Sequence, residues 1–248
     1  MIVLRSSSEI ELIRQAGRIV AAAIEKVRSE AMPGVTTALL DRIARSEILK
    51  LNGYPAFKDY KGYPGNICAS VNEEVVHGIP SGRKLRDGDI VGIDVGVRFR
   101  DYFADGAVTL AIGKVSQTAQ NLIMATEEAL EKGIAEAVCG NRLSDVSHAI
   151  QAHAESRGYS VVRAFVGHGI GTKIHEDPEI PNYGKPDRGP RLERGMVLAL
   201  EPMINAGTYE VEIMDDGWTA VTKDRKLSAH FEHTIAVTDG AADILTKL

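Results

Sequence analysis

An internal repeat leaves this chain few ways to fold. Gly34 and Gly140 stand 106 residues apart, and Thr37 and Ser144, Leu85 and Leu192, and Gly88 and Gly195 each stand 107 apart. On that offset residues 85–94 lie over 192–201, each a glycine turn leading into an apolar stretch, and Asp94 falls on Glu201. A carboxylate at one register of two otherwise apolar strands does not fit surface patterning, which alternates polar and apolar positions. Two similar halves facing each other leave a cleft along their pseudo-twofold axis, where paired ligands converge.

Periodicity fills in the halves. Ser8 and Glu11 read as a capping box, and Ile10, Ile13, Val20, Ile24 and Val27 follow at helical spacing until Met32-Pro33-Gly34 stops the run. Thr36-Thr37 cap a second helix that presents Leu40, Ile43, Ala44, Ile48 and Leu51 and ends at Asn52-Gly53. Val- and Ile-rich strands are expected at 67–71, 90–97 and 102–112. The order then recurs, with helices over 116–138 and 144–157 and strands near 160–166, 196–203 and 230–237. The expectation is an α+β fold in a single domain spanning 1–248, with half one about 8–112 and half two about 116–237.

Composition bounds the function. The 248 residues carry 29 Lys+Arg against 34 Asp+Glu, a net charge of -5, so the clustered cations that bind nucleic acid by counterion release are missing and no nucleic acid substrate is expected. No apolar run approaches the roughly 20 residues of a membrane span, and the start turns polar too early for a signal peptide. Cys68 and Cys139 have no metal-binding spacing and read as unpaired, buried thiols of a reducing, cytoplasmic compartment.

Acids inside apolar strands carry the chemistry. Asp94 interrupts the run at 90–97, and Asp105 the run at 102–112. A hairpin folded about Phe99-Arg100 pairs residues whose numbers add to 199, which sets Asp94 opposite Asp105 with Cβ atoms about 5 Å apart. Like charges so placed need either a shared proton or a multivalent cation. Glu201, after an apolar run and before Pro202, and Glu232, in another β-type run, raise the count to four, and His168 sits in a glycine-rich turn. One proton cannot neutralise four carboxylates, whereas two divalent cations match their charge, so the set favours a dinuclear site. Taken alone, His168 reads equally as a hydrogen-bonded turn histidine. His148, His153, His230 and His233 read as structural or surface groups, and Glu73-Glu74 as a solvated pair.

With these residues in place the sequence resembles the methionine aminopeptidases, in the short single-domain class typical of bacteria, within the dinuclear pita-bread metallopeptidase superfamily. The likeness runs almost end to end. It rests on the stretch from Asn66 through His77-Gly78-Ile79-Pro80, on Gly92-Ile93-Asp94, Tyr102-Phe103-Ala104-Asp105, Gly167-His168-Gly169, His175-Glu176-Asp177-Pro178, Glu201-Pro202-Met203 and Phe231-Glu232-His233-Thr234. The resemblance implies a pita-bread fold: a central curved, mostly antiparallel sheet with helices on its outer face. It implies Asp94, Asp105, His168, Glu201 and Glu232 as ligands of two divalent ions (Co, Mn, Fe or Zn), with Asp105 and Glu232 bridging. Glu201 would also handle a proton, His175 would stabilise the oxyanion, His77 would contact the peptide near the scissile nitrogen, and the substrate amine would bind near Asp94. The methionine pocket would be lined by Tyr60, Tyr63, Cys68 and Trp218, while Phe57 and Ile174 depart from the residues of known relatives. The implied activity is removal of the initiator methionine from nascent polypeptide N-termini when the second residue is small. A monomer, a cytoplasmic location and contact with the ribosome are implied by resemblance alone. Xaa-Pro peptidases share the five ligands, and non-catalytic pita-bread modules, which usually lack them, are the binding-protein alternative.

Overall fold

A computed structural model describes residues 1–247. Helices α1 (Ser7–Glu30) and α2 (Thr37–Lys50) precede β1 (Tyr54–Pro55), β2 (Cys68–Val71), β3 (Glu74–Val76) and the long hairpin β4 (Ile90–Phe99) and β5 (Tyr102–Ala111). Helices α3 (Gln117–Glu136) and α4 (Leu143–Ser156) open the second round. Strands β6 (Ser160–Val161), β7 (Gly167–Gly169), β8 (Glu176–Ile180), β9 (Val197–Leu200) and β10 (Met203–Asn205) follow. The chain ends through β11 (Val211–Ile213), β12 (Ala220–Thr222), β13 (Ser228–His230), β14 (Glu232–Ala236) and β15 (Asp243–Ile244).

The repeat is visible in the backbone. The Gly34 amide donates to Leu85 O at 2.8 Å and the Gly140 amide to Leu192 O at 2.9 Å. Leu85 N returns a bond to Val35 O, and Leu192 N to Asn141 O, both at 2.8 Å. Gly34 and Gly140 hold φ of 93° and 96°, values that glycine adopts without strain. The central sheet carries the same symmetry in the order β1-β4-β5-β14-β9-β7-β8, with β2 also on β4 and β15 on β14, and its ladders are antiparallel. Strand β4 therefore mirrors β9, and β5 mirrors β14, across the middle of the sheet.

One face of that sheet is the core. Val91, Ile93, Val95 and Val97 of β4 bury against Ile13, Val20 and Ile24 of α1 and Leu40 and Ile48 of α2. A second core joins Leu122, Leu130, Val146 and Ile150 of α3 and α4 to Leu198, Leu200 and Ile235. Because successive strand residues point to opposite faces, Asp94 lies away from the helices.

Several details depart from the sequence reading. The capping box of α1 is Ser6 with Glu9 rather than Ser8 with Glu11; Ser6 N donates to Glu9 Oε2 at 2.9 Å. Glu9 prevails because it also meets Arg5 and the Tyr102 hydroxyl. The hairpin turns at Arg100-Asp101, both with positive φ, so paired residue numbers add to 201 and Asp94 faces Ala107 while Asp105 faces Gly96. Such a turn normally announces itself with Asn-Gly, which this one lacks. A shift of two preserves the face, so both acids still point the same way. The strand expected over 160–166 stops after Val161, and that over 196–203 breaks at Glu201-Pro202, where proline removes a ladder donor. The run at 230–237 splits at Phe231, with β13 in a smaller sheet and β14 in the central one. Cys139 is exposed rather than buried, and Glu74 is no solvated group, since it accepts from Val71 N and pairs with Arg83.

Candidate metal centre

The four acids reach one place from four strands or strand ends. Asp94 is the single acid in the apolar run of β4, and Asp105 sits on β5 two registers from its partner position. Glu232 opens β14, next to β5 in the sheet, and Glu201 follows the last residue of β9. His168 is the middle residue of β7, paired with Ala199 of β9. Alternation puts them on one face: Glu232 pairs with Ala107, which also faces Asp94, and Glu201 lies two residues beyond Ala199, the partner of His168 and Thr234.

Ligand atoms of Asp105, His168 and Glu232 lie within 4.8 Å of one another, and all three residues are buried. His168 Nε2 stands 3.5 Å from Asp105 Oδ2 and 3.4 Å from Glu201 Oε1. The other ring nitrogen, Nδ1, lies 2.9 Å from Gly169 O, which fixes Nε2 as the free lone pair when Nδ1 carries the proton. Thr234 Oγ1 donates to Asp105, lying 2.8 Å from its carbonyl and 3.1 Å from Oδ1.

Burial and mutual repulsion distort every titration here. Burial first, then the Asp105 charge, pushes Asp94 and Glu201 well above the ordinary carboxylate range, and Glu232 rises for the same reasons. Asp105 is pushed up to about 6 by burial, against the pull of His175 and the Thr234 hydrogen bond. Burial lowers His168 to about 4, leaving a neutral imidazole. Asp94 Oδ1 is buried and has no hydrogen-bond partner among the described residues. Four carboxylates, one with an orphaned buried oxygen, and a neutral imidazole converging on one point are a donor set that fits a divalent cation, which would supply the missing charge.

All eleven residues singled out from the sequence face one cavity of about 220 Å³. Tyr63, Cys68 and Trp218 wall one side, with Tyr63 and Trp218 edge to face at 5.1 Å. The Tyr63 hydroxyl is spent on Ile67 O and Gly78 O, so its ring lines the cavity. Cys68 pairs in register with Asp94. His175 stands at the mouth, its ring centroid 4.3 Å from that of His168 and its Nδ1 3.0 Å from the Tyr60 hydroxyl. His77 holds a φ of 61°, unusual for a residue with a side chain, and packs edge-on to Phe165 at 5.3 Å.

Phe57, noted in the sequence as a departure, lines the cavity and packs on Gly96, whereas buried Ile174 lies outside that lining. Lys61 also lines it, with φ of 49° and its amine 5.4 Å from the Tyr60 ring centre; nothing in its sequence context signals this. His230, read as a structural or surface group, is not at the surface. It is buried, its Nε2 has no partner, and it lies 3.9 Å from Glu201 Oε2. Its place two residues before Glu232 was the one available signal.

The family model for metallopeptidase family M24 matches residues 11–239. The chain belongs to metallopeptidase family M24. It is 53% identical over 247 residues to a methionine aminopeptidase of Clostridium acetobutylicum, covering 99% of each chain. The crystal structure of a methionine aminopeptidase from Thermotoga maritima superposes with a TM-score of 0.98 at 47% identity, over 100% of both chains. A prolidase from Pyrococcus horikoshii shares the fold, with a TM-score of 0.80 at 22% identity over 64% of its length. The M24 chain thus has the pita-bread fold, and within the family it groups with the methionine aminopeptidases.

Proposed function

We propose that this M24 chain removes the N-terminal methionine from peptides and proteins whose second residue is small, using divalent metal held by Asp94, Asp105, His168, Glu201 and Glu232. The observation that carries this reading is the convergence of those five donors on the floor of a cavity walled by Tyr63, Cys68 and Trp218. Asp105 and Glu232, on neighbouring strands in the centre of the sheet, would hold the metal together with His168, whose ligand atom lies within 4.8 Å of theirs. Bound there, the metal supplies Lewis acidity for the scissile carbonyl and lowers the pKa of water.

The protein's own groups do the rest. The aromatic and sulfur walls take the thioether, a soft, polarizable group. The cavity ends in acids, which attract the free α-amine and exclude internal peptide bonds. Burial and the adjacent His168 hold the His175 imidazole down to about 4, so it is neutral. With Nδ1 facing the Tyr60 hydroxyl, Nε2–H is left to donate to the developing oxyanion. His77, kept neutral by burial, meets the peptide near the scissile nitrogen, and Glu201 moves the proton. Residues 1–248 act as one domain of two halves, a cytoplasmic monomer that meets its substrates as nascent chains beside the ribosome.

A Met-Ala-Ser peptide is expected to release methionine after reconstitution with at least one of Mn, Co, Fe or Zn, and to release none after chelation. No release with any of the four metals, or preference for an Xaa-Pro dipeptide, rejects the assignment.

A further inference from the structure

His175 ends a stretch, residues 171–175, that has no helix or strand of its own. What shapes it is the next residue. Glu176 Oε1 accepts the amides of Thr172 at 2.8 Å and Lys173 at 3.0 Å, and the Thr172 hydroxyl at 3.2 Å. One carboxylate oxygen thereby closes the turn that presents His175.

The other oxygen, Oε2, accepts from Nη2 of Arg5 at 2.5 Å. Arg5 is more than 170 residues away in sequence, and its side chain is only 6% exposed. Three contacts hold it in place. Its amide donates to Gly195 O at 2.8 Å, Nη1 lies 3.4 Å from Glu9 Oε1 at the start of α1, and the guanidinium lies on Gly171. A Cβ at Gly171 would come within 2.3 Å of Nη2, so the close stacking depends on the missing side chain. Without the cation, a mostly buried carboxylate loses its partner, and its cheapest relief is to swing toward water and release the two amides.

We propose that Arg5 is a positioning residue for methionine release: through Glu176 it holds the turn that sets His175 over the metal centre. The inference rests on the oxyanion role given to His175 above. If Arg5 only tied the N-terminal arm to the body, its loss would lower stability without singling out His175.

A double-mutant cycle on the metal-loaded, full-length enzyme with Met-Ala-Ser separates these cases. Arg5→Met is expected to lower kcat about 10-fold or more, the scale of a catalytic group displaced by a fraction of an ångström to an ångström, with KM within about twofold. In a His175→Ala background the same substitution is expected to cost less than about twofold. Equal losses in both backgrounds, no loss at all, or a change confined to KM overturns the inference. Should Arg5→Met fail to fold, as its thermal melt would reveal, Glu176→Gln carries the same cycle, with the same non-additivity expected and the same additive outcome decisive against it. If His175→Ala alone leaves kcat unchanged, the role of His175 falls and this inference with it; additivity beside a large His175→Ala effect sinks the inference alone.

Discussion

Asp105 shows how one residue can be prepared for a cation. Its carboxylate is buried among three other acids, Asp94, Glu201 and Glu232, and the neutral hydroxyl of Thr234 is a donor fixed on it by the sheet. Removing that hydroxyl while keeping the shape should loosen the ligand more than the fold. Thr234→Val is expected to weaken metal affinity about 10–100-fold, the range found for partners that orient ligands, with the far-ultraviolet spectrum unchanged. Metal titration followed by calorimetry reads it, and unaltered affinity would show that Asp105 needs no such support. The acids themselves were legible in the sequence, because a charged residue in an apolar β run has few bland explanations. Lys61 was not, since its neighbours in the chain give no sign of the cavity it lines, and for His230 the nearness of Glu232 in the chain is a signal too weak to show that it packs beside Glu201.

At the scale of elements, packing decides what propensity leaves open. Gly17 lies inside α1, where alanine would ordinarily gain about 1 kcal/mol in helix propensity. Here a Cβ would meet the carbonyl oxygen of Leu245 at 2.3 Å and its carbon at 2.7 Å. Backbone of the C-terminal segment cannot move aside as a side-chain tip can, so the collision outweighs the propensity gain. Gly17→Ala is expected to destabilise by about 2 kcal/mol, or roughly 4–8 °C in Tm. A melt that rises instead would show that the segment yields. The hairpin of β4 and β5 teaches the complementary lesson. Alternation placed Asp94 and Asp105 on one face from sequence alone, yet their offset of two followed from the Arg100-Asp101 turn, whose positive φ values the residue types do not announce.

For the whole molecule, the metal centre sets the pH dependence of stability. Without metal, folding raises the pKa of Asp94, Asp105, Glu201 and Glu232, so above about pH 4 the folded state holds more protons than the unfolded state, and stability falls as pH rises. Burial lowers His168, His175 and His233 to about 4, His230 to about 3, and His77 as well, which works the opposite way until the unfolded imidazoles are themselves neutral, at about pH 7.5. Above about pH 7.5 the imidazoles are neutral in both states and only the carboxylate effect remains. The chelated protein is therefore expected to lose stability between about pH 7.5 and 9, by up to about 1.4 kcal/mol per pH unit for each carboxylate still protonated in the folded state, while the metal-loaded protein holds level or gains. Urea midpoints at the two pH values, with and without metal, check this; a flat profile in the chelated protein would mean the acids are not mutually buried.

The sequence by itself determined the duplicated plan, the positions of the helices and the four acids set in apolar β runs, because periodicity and a charge in an apolar strand are written locally, whereas His168 joined them only through resemblance. Tertiary structure alone decided the hairpin register, the place where the run at 230–237 changes sheet, the burial of His230 and the pairing of Arg5 with Glu176. Those depend on which distant segments share space, and a linear chain encodes that only through the free energy of the packed whole.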